Sequence, residues 1–111
     1  MAEPMRIRAH VKEGVTEVHV LMPHPMETGF RTDDAGRPIS AHYITDVQIS
    51  VGDRTVLSAT LSRAVSQDPL LYFRFQGGRA DDTIRVVWTD TLGDRRTDEG
   101  KIIGAGDSRS S

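Results

Sequence analysis

The chain contains no cysteine. That one absence removes a thiol nucleophile, a disulfide framework and a thiolate metal site together. A strong charge excess is missing as well: 14 Lys and Arg stand against 16 Asp and Glu, a formal net charge of −2. Such a balance gives no overall electrostatic reason to bind nucleic acid or an anionic membrane. No segment comes near the ~20 apolar residues of a membrane-crossing helix. The first ten residues include Glu3, Arg6 and Arg8 and hold no apolar run, so a Sec-type signal peptide is not expected. Long helical periodicity and internal repeats are also lacking. There is no G-x-S-x-G elbow and no EF-hand spacing. Gly77-Gly78 lacks the strand-to-helix context of a phosphate loop.

What is present is alternation. A chain of 111 residues with 37% hydrophobic and 27% charged residues is the size and composition of one globular domain. Met5, Ile7, Ala9 and Val11 alternate with Arg6, Arg8 and His10, the period of a half-buried strand. Val15 to Met22 resumes the pattern after Lys12-Glu13-Gly14, which predicts a hairpin. Pro23 and Pro25 then stop the sheet, because proline has no N–H for a ladder. Further strands are expected over Ile39 to Val51, Arg54 to Leu61, Leu70 to Phe75, Thr83 to Thr89 and Arg95 to Ile103, separated by turn signals. About seven strands at this spacing predict an all-β, immunoglobulin-like antiparallel β-sandwich. The domain is expected over residues 1–103, with residues 104–111 as a flexible tail of small and polar residues.

Four histidines, His10, His19, His24 and His42, are the first candidates for chemistry. They are scattered, with no HxH or HxxxH spacing, which reads as surface or edge histidine. An iron site of the superoxide-reductase type would need several histidines and a thiolate, and the thiolate is lacking. Asp33-Asp34 and Asp81-Asp82 fall in turns, where aspartate bonds its own backbone. The strands Leu70 to Phe75 and Thr83 to Thr89 are partly apolar on both faces. Leu71, Phe73, Phe75, Ile84, Val86 and Trp88 make the core set, and Leu70, Tyr72 and Val87 are left on the opposite face. Ile44 adds to this second set on the long strand. A sandwich needs one apolar face per sheet, so a second one suggests an interface; ordinary scattered surface hydrophobes are the alternative.

An ordered set of segments resembles a known family. Pro4-Met5-Arg6-Ile7-Arg8-Ala9 opens it, and His24-Pro25-Met26-Glu27-Thr28-Gly29 follows the second strand. Val56-Leu57-Ser58-Ala59 and Asp68-Pro69-Leu70-Leu71-Tyr72-Phe73 come next. Ile84-Arg85-Val86-Val87-Trp88-Thr89-Asp90, Leu92-Gly93-Asp94 and Thr97-Asp98-Glu99 complete it. Together they resemble the SoxZ family, the small partner in the SoxYZ carrier of bacterial sulfur oxidation. The resemblance implies a non-catalytic subunit without a cofactor, in a heterodimer with a SoxY-type subunit that carries the sulfur intermediate on a cysteine. It implies transient contacts with thiosulfate-oxidising Sox enzymes. It also implies a periplasmic location, reached by co-export with a partner bearing a twin-arginine signal. The expected partner-binding residues are His24, Met26, Glu27 and Thr28 in the loop and the extra apolar residues Ile44, Leu70, Tyr72 and Val87. A histidine-based metal-binding sandwich and a stand-alone ligand-binding domain are the competing readings.

Overall fold

The computed structural model describes residues 3–104. Its strands are β1 (Arg6–Lys12), β2 (Val15–Leu21), β3 (Ile44–Val51), β4 (Arg54–Thr60), β5 (Leu70–Gln76), β6 (Thr83–Asp90) and β7 (Arg95–Gly104). Their hydrogen-bonded order is β4-β3-β6-β7-β1-β2-β5. β7 joins the two halves. Its first part, Arg95 to Lys101, pairs with β6, and its last three residues, Ile102 to Gly104, pair with β1. The β1–β7 contact is parallel, while every other pairing among the named strands is antiparallel. The β4-β3-β6-β7 and β7-β1-β2-β5 layers therefore share one strand and enclose one core between them, a sandwich of the expected immunoglobulin-like kind.

The alternation in the sequence becomes the inner and outer faces. Met5 and Ala9 from the first strand region, Val18 and Val20 from β2, Val47 and Ile49 from β3, Ile84, Val86 and Trp88 from β6, and Ile102 from β7 are all buried in one cluster. The β1–β2 hairpin closes on two residues, Glu13 (φ 53°) and Gly14 (φ 78°). Two successive positive φ angles make the turn whose twist matches the flanking strands. Asp33 Oδ1 accepts the N–H groups of Ala35 and Arg37, and Asp82 Oδ2 that of Arg79, so these turn aspartates bond local backbone.

Two differences from the sequence reading have local causes. The strand expected over Ile39 to Val51 begins only at Ile44. Residues 27–42 instead form an excursion held by two isolated bridges, Glu27 with His42 and Thr32 with Pro38. A bulge then lies between Ile44 and Asp46 in the pairing with β6. A bulge adds one residue and reverses the parity of what precedes it. Ile44, expected on the outer face, therefore points inward and is fully buried beside Val47 and Ile49. Of the expected tail, Gly104 is the last residue of β7, and the remainder lies outside the described residues. Among those residues no helix is long and apolar enough to cross a membrane.

Candidate functional site

The polar groups converge at one end of the sandwich, where the loop after β2, the start of β3 and the end of β6 meet. Asp90 closes β6 with its side chain fully buried. Its Oδ1 accepts the backbone N–H groups of Leu92 (3.0 Å) and Asp94 (2.9 Å), which builds the Leu92-Gly93-Asp94 turn. Its Oδ2 accepts from Nε2 of His24 (2.9 Å) and Nε2 of His42 (2.7 Å). Burial by itself pushes the Asp90 carboxyl up. The bonds from His24 and His42, then those from the Asp94 and Leu92 amides, outweigh it and hold the group below the ordinary carboxylate range.

His24 is caged by its own loop and by the segment just before β5. Its N–H donates to Asp68 Oδ1 (2.9 Å), and its carbonyl accepts from the Asp68 N–H (2.9 Å). Its Nδ1 accepts the N–H of Met26 (3.1 Å). An atom facing an N–H donor must present its lone pair, so the ring proton sits on Nε2 and points at Asp90. Met26 and Asp68, the two residues that hold His24 in this way, both have left-handed backbones (φ 50° and 52°). Such conformations cost of order 1–3 kcal/mol each for a non-glycine residue and persist only where surrounding bonds over-determine them. The ring of His24 also packs edge-on against Trp88 and His42, with centroids 5.0 and 4.6 Å away. The Met26 sulfur accepts the Ile44 N–H (3.3 Å), pinning the loop to the start of β3.

His42 differs from His24. Its Nε2 carries a proton because it faces a carboxylate. Its Nδ1 has no partner among the described residues, and its side chain is 27% exposed, at a cavity of about 310 Å³. Glu3, Asp68, Trp88 and Asp94 also line that cavity. The buried Trp88 indole N–H is without a hydrogen-bond partner among the described residues.

The donor atoms of His24, His42 and Asp90 lie within 4.8 Å of one another, a geometry that could hold a metal ion. The tautomer of His24 opposes it. A metal on Nε2 would send the ring proton to Nδ1, where the Met26 N–H already points. The histidine that reads as scattered in the sequence is thus a fully bonded latch. Asp90, which no spacing in the sequence singles out, is its centre.

The expected partner-binding residues do not form one surface. His24 and Met26 are buried in the latch and the core, and Ile44 is core. Glu27 and Thr28 are half-buried along the excursion. Leu70 (65% exposed) and Tyr72 (49% exposed) stand on the outer face of β5. Val87 is half-buried on β6, paired between Gln48 and Thr97, and so faces outward from the opposite layer. Parity placed Leu70, Tyr72 and Val87 outward, but only the strand order shows that Val87 faces away from the other two.

Several solved structures share the fold. A superoxide reductase in the oxidized state aligns with a TM-score of 0.62 at 12% identity, covering 90% of this chain and 87% of that one. The superoxide reductase (neelaredoxin) from Archaeoglobus fulgidus in the reduced form aligns at 0.60 and 16%, covering 90% and 87%. The superoxide reductase from Nanoarchaeum equitans aligns at 0.61 and 10%, covering 90% and 92%. At such identities the likeness speaks for the fold alone. No curated protein matches by sequence. The family described as "Sulphur oxidation protein SoxZ" matches residues 5–101, nearly the whole chain. The chain belongs to the SoxZ family, and its role lies in the Sox system of sulfur oxidation.

Proposed function

We propose that this chain is the non-catalytic subunit of a sulfur-carrier heterodimer. Its partner is a SoxY-type subunit that holds the covalent intermediate on a cysteine. The family match over residues 5–101 carries the reading. The chemistry of the chain supports it. Without cysteine it cannot itself hold a thiol-bound sulfur adduct. Its buried His–Asp cluster uses its donors and acceptors to bond loop to strand, which suits a rigid base better than a reaction centre. A tethered arm on a rigid base gains effective concentration at each docked enzyme active site. Contacts with those enzymes are then transient and small, and the carrier contact is the more stable one. The heterodimer works in the periplasm, exported together under the partner's twin-arginine signal.

Affinity capture of the tagged chain, with intact-mass measurement of what accompanies it, tests the reading. A stoichiometric small subunit ending in a cysteine arm, with sulfur-sized adducts, is the expected result. A chain that comes down alone overturns it. For the location, fractionation of cells with and without the partner gene is expected to move the chain from periplasm to cytoplasm when the partner is removed.

A further inference from the structure

The outer face of the β7-β1-β2-β5 layer is unlike the rest of the surface. Register places Arg8, His19 and Tyr72 in one cross-strand row, Arg6, Leu21 and Leu70 in the next, and Ile103, His10, Glu17 and Arg74 in a third. Three of the five large hydrophobic side chains that stand exposed among the described residues, Leu70, Tyr72 and Ile103, share this face. The Tyr72 ring packs against His19 at a centroid distance of 4.6 Å.

Cations without a counter-charge are concentrated on this face. Elsewhere Arg31, Arg37, Arg85 and Arg96 each meet a carboxylate, and Arg54 and Arg63 lie over aromatic rings, which leaves Arg79 and Arg95 apart from each other. On this face Arg6, Arg8, Lys12 and Arg74 are exposed and have no ion-pair or hydrogen-bond partner among the described residues. The one strand carboxylate there, Glu17, lies 3.4 Å from His10. Four cations without an ion pair, against Glu17 and the hairpin-turn Glu13, leave this face locally positive on a chain of net charge −2. Isolated exposed hydrophobes are ordinary, but a cluster of them with a polar, charged rim is the pattern of a protein contact.

We infer that this face, and not the β4-β3-β6 face that carries Val87, seats the carrier subunit, through a complementary surface of that subunit with carboxylates around an apolar centre. The inference rests on the heterodimer reading and adds to it the face, the anchors and the sign of the partner's charge. Leu70 and Tyr72 supply the buried contact, and Arg6 and Arg8 supply encounter rate and register.

Binding of the full chain to the purified SoxY-type subunit, measured by titration calorimetry from low to high salt, tests it. Wild type is expected to bind with an affinity that weakens as salt rises. L70A/Y72A and R6E/R8E are each expected to weaken binding at least tenfold, the second with a flatter salt dependence. V87A and R85E, on the opposite layer, are expected to bind like wild type. All the substituted side chains are surface or half-buried, and matching circular dichroism spectra and melts verify the fold. Wild-type affinity in both face variants, or loss confined to V87A and R85E, overturns the assignment while leaving the heterodimer intact. A self-associating chain whose dimer is broken by the face variants would give the surface to a second copy and overturn it too. A wild-type chain that binds no SoxY-type subunit at all refutes the heterodimer reading itself.

Discussion

Replacing Asp90 with Asn keeps the shape of the side chain and exposes the logic of the latch. The carboxylate accepts four hydrogen bonds, two from imidazoles and two from backbone amides. An asparagine offers one carbonyl and one amide group. If the carbonyl turns to Leu92 and Asp94, the amide faces two imidazole N–H groups. His42 can move its proton to the open Nδ1 and accept. His24 cannot, because the Met26 N–H occupies its Nδ1. If the carbonyl turns to the imidazoles, the amide faces two backbone N–H groups and both are stranded. Either way at least one buried donor loses its acceptor, at about 1–3 kcal/mol, and the surviving bonds lose their ionic character. The expected loss is about 3 kcal/mol, which lowers the melting temperature of a domain this size by roughly 12–24 °C. Thermal and urea denaturation followed by circular dichroism measure it. H24Q is expected to cost more than H42Q, since only His42 has a free ring nitrogen. A D90N chain within about 0.5 kcal/mol of wild type would show that the latch contributes nothing net to stability.

Further expectations rest on the same geometry. The Asp90 and Asp98 carboxyls are both held below the ordinary value of 3.8, Asp90 by bonds that outweigh its burial and Asp98 chiefly by Arg96. A depressed carboxyl stabilises the fold above its unfolded value and loses that contribution as pH falls through the folded one. Acid unfolding is therefore expected to begin below about pH 4, and D98N should flatten that limb in a pH-resolved urea titration. I44A is expected to cost about 2–5 kcal/mol, as for a core aliphatic and against the near-zero cost of an exposed one; equilibrium unfolding distinguishes the two. G78A is expected to be far more damaging than G93A, though both have positive φ. A Cβ at Gly78 runs into Thr16 Oγ1, which is itself bonded to the Gly77 carbonyl, whereas one at Gly93 meets open space. Elemental analysis of the purified chain is expected to find no stoichiometric transition metal, and a metal bound with loss of the His24 Nε2 proton would refute the tautomer argument.

The sequence alone determined most of the fold. Period-two alternation needs only neighbouring residues, and it marked Ile84, Val86 and Trp88 as inward without knowledge of any partner strand. Gly and Pro punctuation placed most strand ends within a few residues, and the ordered segments from Pro4 to Glu99 resembled the family that matches the chain. Tertiary structure decided what depends on register and distance. One inserted residue at the β3 bulge moved Ile44 from an expected surface to the core, and local alternation cannot signal such an insertion in advance. Asp90 became central only because β6 ends 66 residues from His24 and 48 from His42, yet beside both. Leu70, Tyr72 and Val87 are all outward by parity. Whether they form one face depends on the order of strands in the sheet, which is a long-range property that no local pattern encodes.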